Sequence, residues 1–151
     1  MRYYIKLLGW KDHPMPFRGT WFQTMVTQHM AHARLTSEVR TANTGDKFLL
    51  YCIMNRFTDI VGGGFVGINT VKGPWYRNPA YFGEPWTIIH DVSLDFLVPL
   101  ERLLPLQEVR RWQDKSPILN KALKANLQFL PLREITKTDY DQFESALRRR
   151  I

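Results

Sequence analysis

Aromatic side chains are concentrated in segments that show no periodic core pattern. The chain has five tryptophans and six tyrosines among 151 residues, and the aromatic residues in predicted loops are Trp10, Trp21, Trp75, Tyr76, Tyr81 and Phe82. Two rings can sandwich the π-face of a nucleobase, and a methyl group on that base adds apolar contact area without adding charge. The same rings could instead fold back and close the end of a barrel. The pattern therefore indicates either a stacking pocket or a sealed barrel end.

Basic residues accompany these rings along the chain. Four of them lie beside a candidate ring or in the predicted hairpin turn: Arg18, Arg56, Lys72 and Arg77. A cation beside a stacked base can hold the phosphates of a splayed strand, although each of the four could equally be solvated surface. The formal net charge of +7 agrees with a polyanionic partner, because Lys and Arg that face phosphates release condensed counterions. We therefore predict phosphate binding by these four residues.

Motifs for cofactors and metals are absent from the sequence. There is no phosphate-binding loop and no nucleophile elbow, and the Gly62-Gly63-Gly64 run lies inside a strand pattern, which favours a bulge. His29 and His32 are three residues apart on a predicted helix, but the nearest acid, Glu38, follows the helix end. A metal site needs a third or fourth ligand at defined spacing. We expect neither a cofactor nor a metal.

Residues that could carry covalent chemistry have simpler structural explanations. His90 falls on the apolar face of a predicted strand, where a hydrogen-bonded core histidine is expected. Asp91 and Asp95 share the opposite face and could mimic a carboxylate pair, yet a solvated strand face accounts for them. The single cysteine, Cys52, lies in an apolar run and predicts an inert buried thiol and a reducing, cytoplasmic location. No run approaches the ~20 apolar residues of a membrane span.

The segments that must position these residues follow from hydrophobic periodicity. The predicted strands are Arg2–Leu8, Trp86–Val98 and a hairpin of Lys47–Met54 with Asp59–Val71. A helix is predicted over Thr20–Leu35, with His29 and Met30 on its middle turns. A short helical turn is predicted between Pro99 and Pro105, and another over Pro117–Leu123. The last predicted helix is capped by Thr138 and has an apolar stripe of Tyr140, Phe143, Leu147 and Ile151. Gly73–Pro85 is a predicted irregular loop.

These elements predict one domain, residues 1–151, of the α+β class. Strands predominate, so the expected architecture is a small curved mixed β-barrel with peripheral helices. Its predicted core includes Phe48, Leu50, Val61, Ile88, Val92 and Phe96.

The hairpin resembles the centre of a known family. A Gly-Asp turn opens the run from Thr44 to Cys52, and a glycine-punctuated run from Ile60 to Ile68 follows. Together with the order of the other segments, this is similar to the EVE domains, PUA-like proteins related to the YTH readers of methylated adenine. EVE domains usually carry a Trp-Asp-Gly-Val-Arg-Asn run after the first strand, whereas this chain has Thr20-Trp21-Phe22-Gln23.

The resemblance implies a nucleic-acid reader that takes an extruded, methylated or otherwise modified base into an aromatic cage and does no covalent chemistry. In the related YTH readers, one cage aromatic follows the first strand and another lies in the loop after the central hairpin. Trp21 and Trp75 match these two positions by their order in the chain, and Trp10, Tyr76 and Trp86 are the alternatives. DNA or RNA would be the ligand, and a nuclease or ATPase is a conceivable protein partner.

Two alternatives stay open. A PUA-like domain could recognise folded RNA by its shape, without a flipped base. The chain could also be an RNA-processing enzyme resembling the ASCH branch of the same superfold, with Lys6 and Asp91 as its lysine and carboxylate.

Overall fold

Apolar runs along the chain form the strands of one sheet. The computed structural model describes residues 1–8, 20–52, 63–112, 114–124 and 130–151. Within these ranges the strands are β1 (Tyr3–Leu8), β2 (His29–His32), β3 (Lys47–Cys52), β4 (Gly64–Val71), β5 (Tyr76–Arg77), β6 (Ile88–Leu97), β7 (Leu104–Pro105) and β8 (Leu132–Ile135). The helices are α1 (Thr20–Thr27), α2 (Ser37–Thr41), α3 (Leu106–Arg110), α4 (Pro117–Lys124) and α5 (Lys137–Arg148), with a 3₁₀ turn over Leu100–Arg102. None of the helices in the described ranges is long and apolar enough to cross a membrane.

The sheet is mixed. Its order is β2-β6-β4-β3-β1-β8, while β5 also pairs with β6 and β7 with β4. β1 and β3 are parallel, with Tyr4 opposite Phe48, and the other pairs are antiparallel. A parallel pair needs a long crossover, and the segment that carries α1, β2 and α2 supplies it. The prediction of a curved mixed sheet with peripheral helices is confirmed.

Two glycines in β4 allow the neighbouring chain to approach closely. A Cβ atom at Gly67 would collide with the carbonyl oxygen of Phe96, and one at Gly64 would lie 2.6 Å from the carbonyl oxygen of Leu104. The register of β4 against β6 also shifts between Ile68 and Asn69, and such a bulge bends a strand. Gly64 and Gly67 therefore lie where neighbouring strands approach β4 closely, and the bulge follows Gly67.

The predicted core residues come together. Phe48, Leu50, Ile88 and Val92 are buried in one hydrophobic cluster, and Phe96 packs against it. Val61 lies outside the described residues. The burial of these side chains removes apolar surface from water and is the main favourable term for this fold.

The long helix predicted over Thr20–Leu35 is wrong in its second half. Helix α1 ends at Thr27, and His29 and Met30, expected on its middle turns, begin β2, where they lie opposite Asp91 and His90 of β6. Pairing with β6 buries Met30 completely and supplies backbone hydrogen bonds, so the tertiary contact overrides the local helix pattern.

The last helix begins earlier than predicted. Thr136, not Thr138, is the N-cap residue, because its hydroxyl accepts a hydrogen bond from the backbone N–H of Asp139 over 3.1 Å. Tyr140, Phe143 and Leu147 are buried as predicted, but Ile151 lies beyond the helix end and is 61% exposed. Three of the four predicted stripe residues are therefore buried against the core.

Candidate functional site

The loop between β5 and β6 is fixed by hydrogen bonds of its own. The backbone N–H of Asn78 donates to the carbonyl of Thr87 over 2.8 Å, and the Asn78 side chain accepts from the N–H of Ala80 over 2.9 Å. Gly83 has a φ of 76°, a conformation that favours glycine, and its N–H donates to the carbonyl of Pro79. Turn residues thus hold the aromatic side chains of this segment against β6.

Five rings form what we call the aromatic cluster: Trp21, His29, Tyr76, Tyr81 and Phe82. The rings of His29 and Tyr81 are stacked, with centroids 4.1 Å apart and planes inclined by 12°. Phe82 connects this stack to the Trp21 ring, whose centroid is 5.6 Å away, and Tyr76 meets Tyr81 edge-on at 6.5 Å. The cluster joins α1, β2, β5 and the loop before β6.

Asp91 ties two members of the cluster to β6. Its Oδ1 atom accepts hydrogen bonds from Nδ1 of His29 over 2.8 Å and from the Tyr76 hydroxyl over 2.5 Å. Partial burial alone would raise the pKa of Asp91, but these two hydrogen bonds and the charges of His29 and Lys72 lower it overall. Burial and the hydrogen bond to Asp91 raise the pKa of the Tyr76 hydroxyl. The pair is therefore a carboxylate and a neutral phenol at neutral pH.

The predicted cage residues have different environments. Trp21 and Tyr76 belong to the aromatic cluster, and Trp75 lies half-buried with the Arg40 guanidinium 5.9 Å from its ring centroid. Trp86 is only 4% exposed and is part of the hydrophobic core. In the part of the chain that the structure describes, no ring contact joins Trp21 to Trp75. Trp10 lies outside the described residues.

Two of the predicted phosphate-binding residues are exposed beside the cluster. Arg77 lies on β5, and Lys72 follows β4, where its backbone N–H donates to the carbonyl of Asp91 over 2.8 Å. Arg40, exposed on α2, is a further cation that the sequence did not single out. Arg18 and Arg56 lie outside the described residues.

A second group of polar side chains is buried inside the sheet. Nε2 of His90 is 3.0 Å from the carbonyl oxygen of Ala42 and therefore carries a hydrogen, so Nδ1 accepts from Nε2 of His32 over 2.8 Å. Burial lowers the pKa of both rings, to about 4 for His90. His90 is a hydrogen-bonded core histidine, as predicted.

The two histidines on β2, His29 and His32, are not arranged as ligands of one metal ion. His29 bonds to Asp91 and His32 to His90, so they do not converge on one point. Among the described residues no group of three His, Cys, Asp or Glu side chains could hold a metal ion.

Lys6 and Asp91 are not brought together. Lys6 is completely buried, its Nζ atom has no hydrogen-bond partner among the described residues, and burial lowers its pKa to about 7. Two strands, β3 and β4, separate β1 from β6. Lys6 lies on the face of Tyr4 and Phe48, which His90 also contacts, whereas Asp91 follows His90 and projects from the other face.

Sequence reasoning missed the link between His29, Tyr81 and Asp91. His29 was placed on a helix, and Asp91 is 62 residues away from it in the chain. The four residues from His29 to His32 do not alternate between polar and apolar types, so they carry no strand signal of their own.

Several known structures share this fold at low sequence identity. A protein from Agrobacterium tumefaciens is 19% identical with a TM-score of 0.64, and the match covers 97% of this chain and 92% of that one. The DUF55 domain of human thymocyte nuclear protein 1 is 13% identical with a TM-score of 0.66, over 97% of this chain and 98% of that one. Human THYN1 protein in complex with 5-methylcytosine-containing DNA is 16% identical with a TM-score of 0.57, over the same shares of the two chains.

No protein-family model matches the chain, and no curated protein matches it. At these identities a structural likeness establishes the fold alone. The chain therefore has the fold of the DUF55 domain.

Proposed function

We propose that this chain is a nucleic-acid reader that takes an extruded, methylated or otherwise modified base into an aromatic cage and does no covalent chemistry. The observation that carries the proposal is the aromatic cluster. Rings from four elements of the fold meet in it, and Tyr81 is 39% exposed. An exposed tyrosine that is already stacked on His29 offers its other face to a planar ligand.

The charges around the cluster support a phosphate-bearing ligand. Lys72 and Arg77 are exposed beside it, and Arg40 is exposed over the ring of Trp75, next to Tyr76 in the chain. The chain has a net charge of +7. Cations of this kind bind the backbone of a nucleic acid without reading its sequence. The complex of THYN1 with 5-methylcytosine-containing DNA supports the same assignment, because that protein shares this fold.

Binding must offset the free energy that it costs to extrude a base from its stack. Unstacking costs a few kcal/mol, least in single strands or at a damaged pair, and aromatic stacking returns ~1–3 kcal/mol per base. The phosphate contacts must supply the remainder, so we expect modest affinity that falls with salt.

A binding screen tests the proposal. Short single- and double-stranded DNA and RNA, with cytosine or adenine methylated or not, should reveal preferential binding of a modified base. Preference for folded RNA without such a base would favour shape recognition instead. A chain that binds none of these ligands would refute the proposed function.

Substitution of the two predicted cage tryptophans tests where the base is bound. Trp21→Ala and Trp75→Ala should each weaken binding by ~1–3 kcal/mol, because a stacked base then loses one partner. Both rings are half-buried, so thermal unfolding should show a smaller loss of stability than the ~3–5 kcal/mol expected for a core tryptophan.

Trp86→Ala is the matched control, since Trp86 is in the core. It should destabilise the fold strongly and leave the affinity per folded molecule unchanged. If Trp21→Ala and Trp75→Ala behave as Trp86→Ala does, these two residues do not form the cage.

A further inference from the structure

We propose that Asp91 is a positioning residue for the bound base, which acts through Tyr81 by holding the two side chains that support the Tyr81 ring. This inference rests on the proposed function and deepens it. A base on the outer face of Tyr81 lies one ring further from His29 than Tyr81 itself. Asp91 therefore contributes to binding without touching the base.

Four residues form a closed circuit of contacts in the aromatic cluster. Oδ1 of Asp91 accepts hydrogen bonds from Nδ1 of His29 over 2.8 Å and from the Tyr76 hydroxyl over 2.5 Å. The Tyr81 ring stacks on His29, with centroids 4.1 Å apart, and the hydroxyl oxygens of Tyr81 and Tyr76 are 3.4 Å apart. Both supports of Tyr81 therefore end on one carboxylate oxygen of β6.

Tyr81 is the member of the circuit that most needs such support. It lies in the loop between β5 and β6 and is 39% exposed. An exposed side chain that is free to change rotamer must be ordered when a ligand stacks on it, and this ordering lowers the affinity. The stack on His29 and the contact with Tyr76 order the ring in the free protein instead.

The two supports depend on Asp91 in turn. Among the described residues, Asp91 is the hydrogen-bond partner of the His29 ring, and the Tyr76 hydroxyl contacts Asp91 and Tyr81. Phe82 also meets the Tyr81 ring edge-on, with centroids 6.3 Å apart, and that contact does not involve Asp91. Loss of the carboxylate should therefore loosen the Tyr81 ring without removing it from the cluster.

The charge of Asp91 has the opposite effect on a nucleic acid. A carboxylate repels a phosphate-bearing ligand, so removal of this charge alone should strengthen binding. The exposed side chain of Lys72 is close enough for its charge to lower the pKa of Asp91, which places both groups beside the same ligand. A variant of Asp91 that binds more weakly thus identifies the positioning role by the sign of the change.

The first test compares two substitutions that remove the same charge. The probe is single-stranded DNA with one central 5-methylcytosine, replaced by the tightest strand of the binding screen if that is a different one. Asp91→Ala should weaken binding about twofold to tenfold, the effect of one side chain that must be ordered on binding. Asp91→Asn keeps an oxygen that can accept both hydrogen bonds and should bind at least as tightly as wild type. Thermal melts establish that each variant is folded.

A double-mutant cycle shows whether Asp91 acts through Tyr81. Tyr81→Ala should by itself weaken binding about tenfold to a hundredfold, because the base loses its stacking partner. In that background Asp91→Ala should bring no further loss, since residues that act as one unit are not additive. Glu101→Ala is the matched control: it removes an exposed acid on the 3₁₀ turn, and it should not weaken binding in either background.

The proton resonances of the Tyr81 ring give a readout that needs no ligand. Stacking on His29 should shift them upfield through the ring current of the imidazole. The shift should be lost in Asp91→Ala and kept in Asp91→Asn.

The outcomes separate this inference from the proposed function. If folded Asp91→Ala binds as tightly as wild type or more tightly, or costs the same affinity with and without Tyr81, the positioning role is refuted and the reader stands. Unchanged Tyr81 resonances in Asp91→Ala refute it as well. If wild-type protein binds no strand of the screen, the proposed function fails, and a role of Asp91 in binding fails with it.

Discussion

Replacement of the buried Lys6 by methionine should stabilise the protein. The Lys6 Nζ atom has no hydrogen-bond partner among the described residues, and burial lowers its pKa from 10.5 to about 7. Methionine keeps a flexible apolar chain of similar length and removes the amine. The substitution therefore keeps most of the packing and removes a group that is costly to bury.

The size of the effect follows from proton linkage. At pH 7 the unfolded chain holds the Lys6 proton fully, whereas the folded protein holds it about half of the time. At about 1.4 kcal/mol for each unit of pKa, the folded state is disfavoured by on the order of 4 kcal/mol relative to a lysine of ordinary pKa. Because the folded pKa is the lower one, the free energy of unfolding should rise as the pH increases from 7 towards 10.5.

Denaturant unfolding between pH 7 and pH 10 measures both effects. Lys6→Met should unfold at a higher denaturant concentration at pH 7, by on the order of 1–4 kcal/mol, and should lack the rise with pH. Lys47→Met is the control, because Lys47 donates to Asp95 and to Thr70, over 2.7 Å in each case, and its loss should bring no gain. A destabilised Lys6→Met variant, together with a wild-type protein whose stability is flat over this range, would refute the reasoning.

Two further predictions concern charge. Arg77→Ala should weaken the binding of all nucleic-acid sequences about equally and lower the slope of log affinity against log salt by about one unit, which titrations at several salt concentrations measure; affinity independent of salt would contradict a role for the positive charge. Burial lowers the pKa of His32 and His90, to about 4 for His90, so the stability that these neutral rings contribute is complete above pH ~6.5 and should fall as the pH decreases towards 4. Thermal melts from pH 7 to pH 4 should show that loss beginning near pH 6.5, and a flat profile above pH 5 would argue against it.

Strong local patterns explain why the centre of the sheet could be predicted. β3 is a continuous apolar run, and β4 combines an apolar run with glycines. The second half of β6 alternates between buried or half-buried and exposed side chains from Val92 to Phe96. These features are local, so the chain reveals them without knowledge of its partners.

The first half of β6 and the whole of β2 are instead stabilised by their pairing with each other, which no local pattern reveals. Ile88, Ile89 and His90 are buried in succession, and in this stretch β6 is paired with β2 and with β5. β2 has only four residues and follows α1 after a single turn residue, Gln28. Its strand form depends on distant hydrogen bonds, which no window of sequence contains.

The candidate site could be predicted in its composition but not in its arrangement. The excess of aromatic residues between Gly73 and Pro85 points to the segment that contributes Tyr76, Tyr81 and Phe82 to the aromatic cluster. The order of the chain does not show that Trp86 turns into the core while Tyr81 remains 39% exposed. That distinction depends on the turn at Gly83 and on how the loop is bonded to β6.

The position of β1 between β3 and β8 has a consequence for the newly made chain. β1 is synthesised well before one of its neighbours, β8, which comes from residues 132–135. Until that segment leaves the ribosome, one edge of β1 has backbone N–H and C=O groups without a partner, next to apolar side chains that are already committed to the core. Such an edge can pair with another nascent chain and aggregate. Residues 132–135 therefore close this edge of β1, and a chain truncated before β8 would retain the open edge.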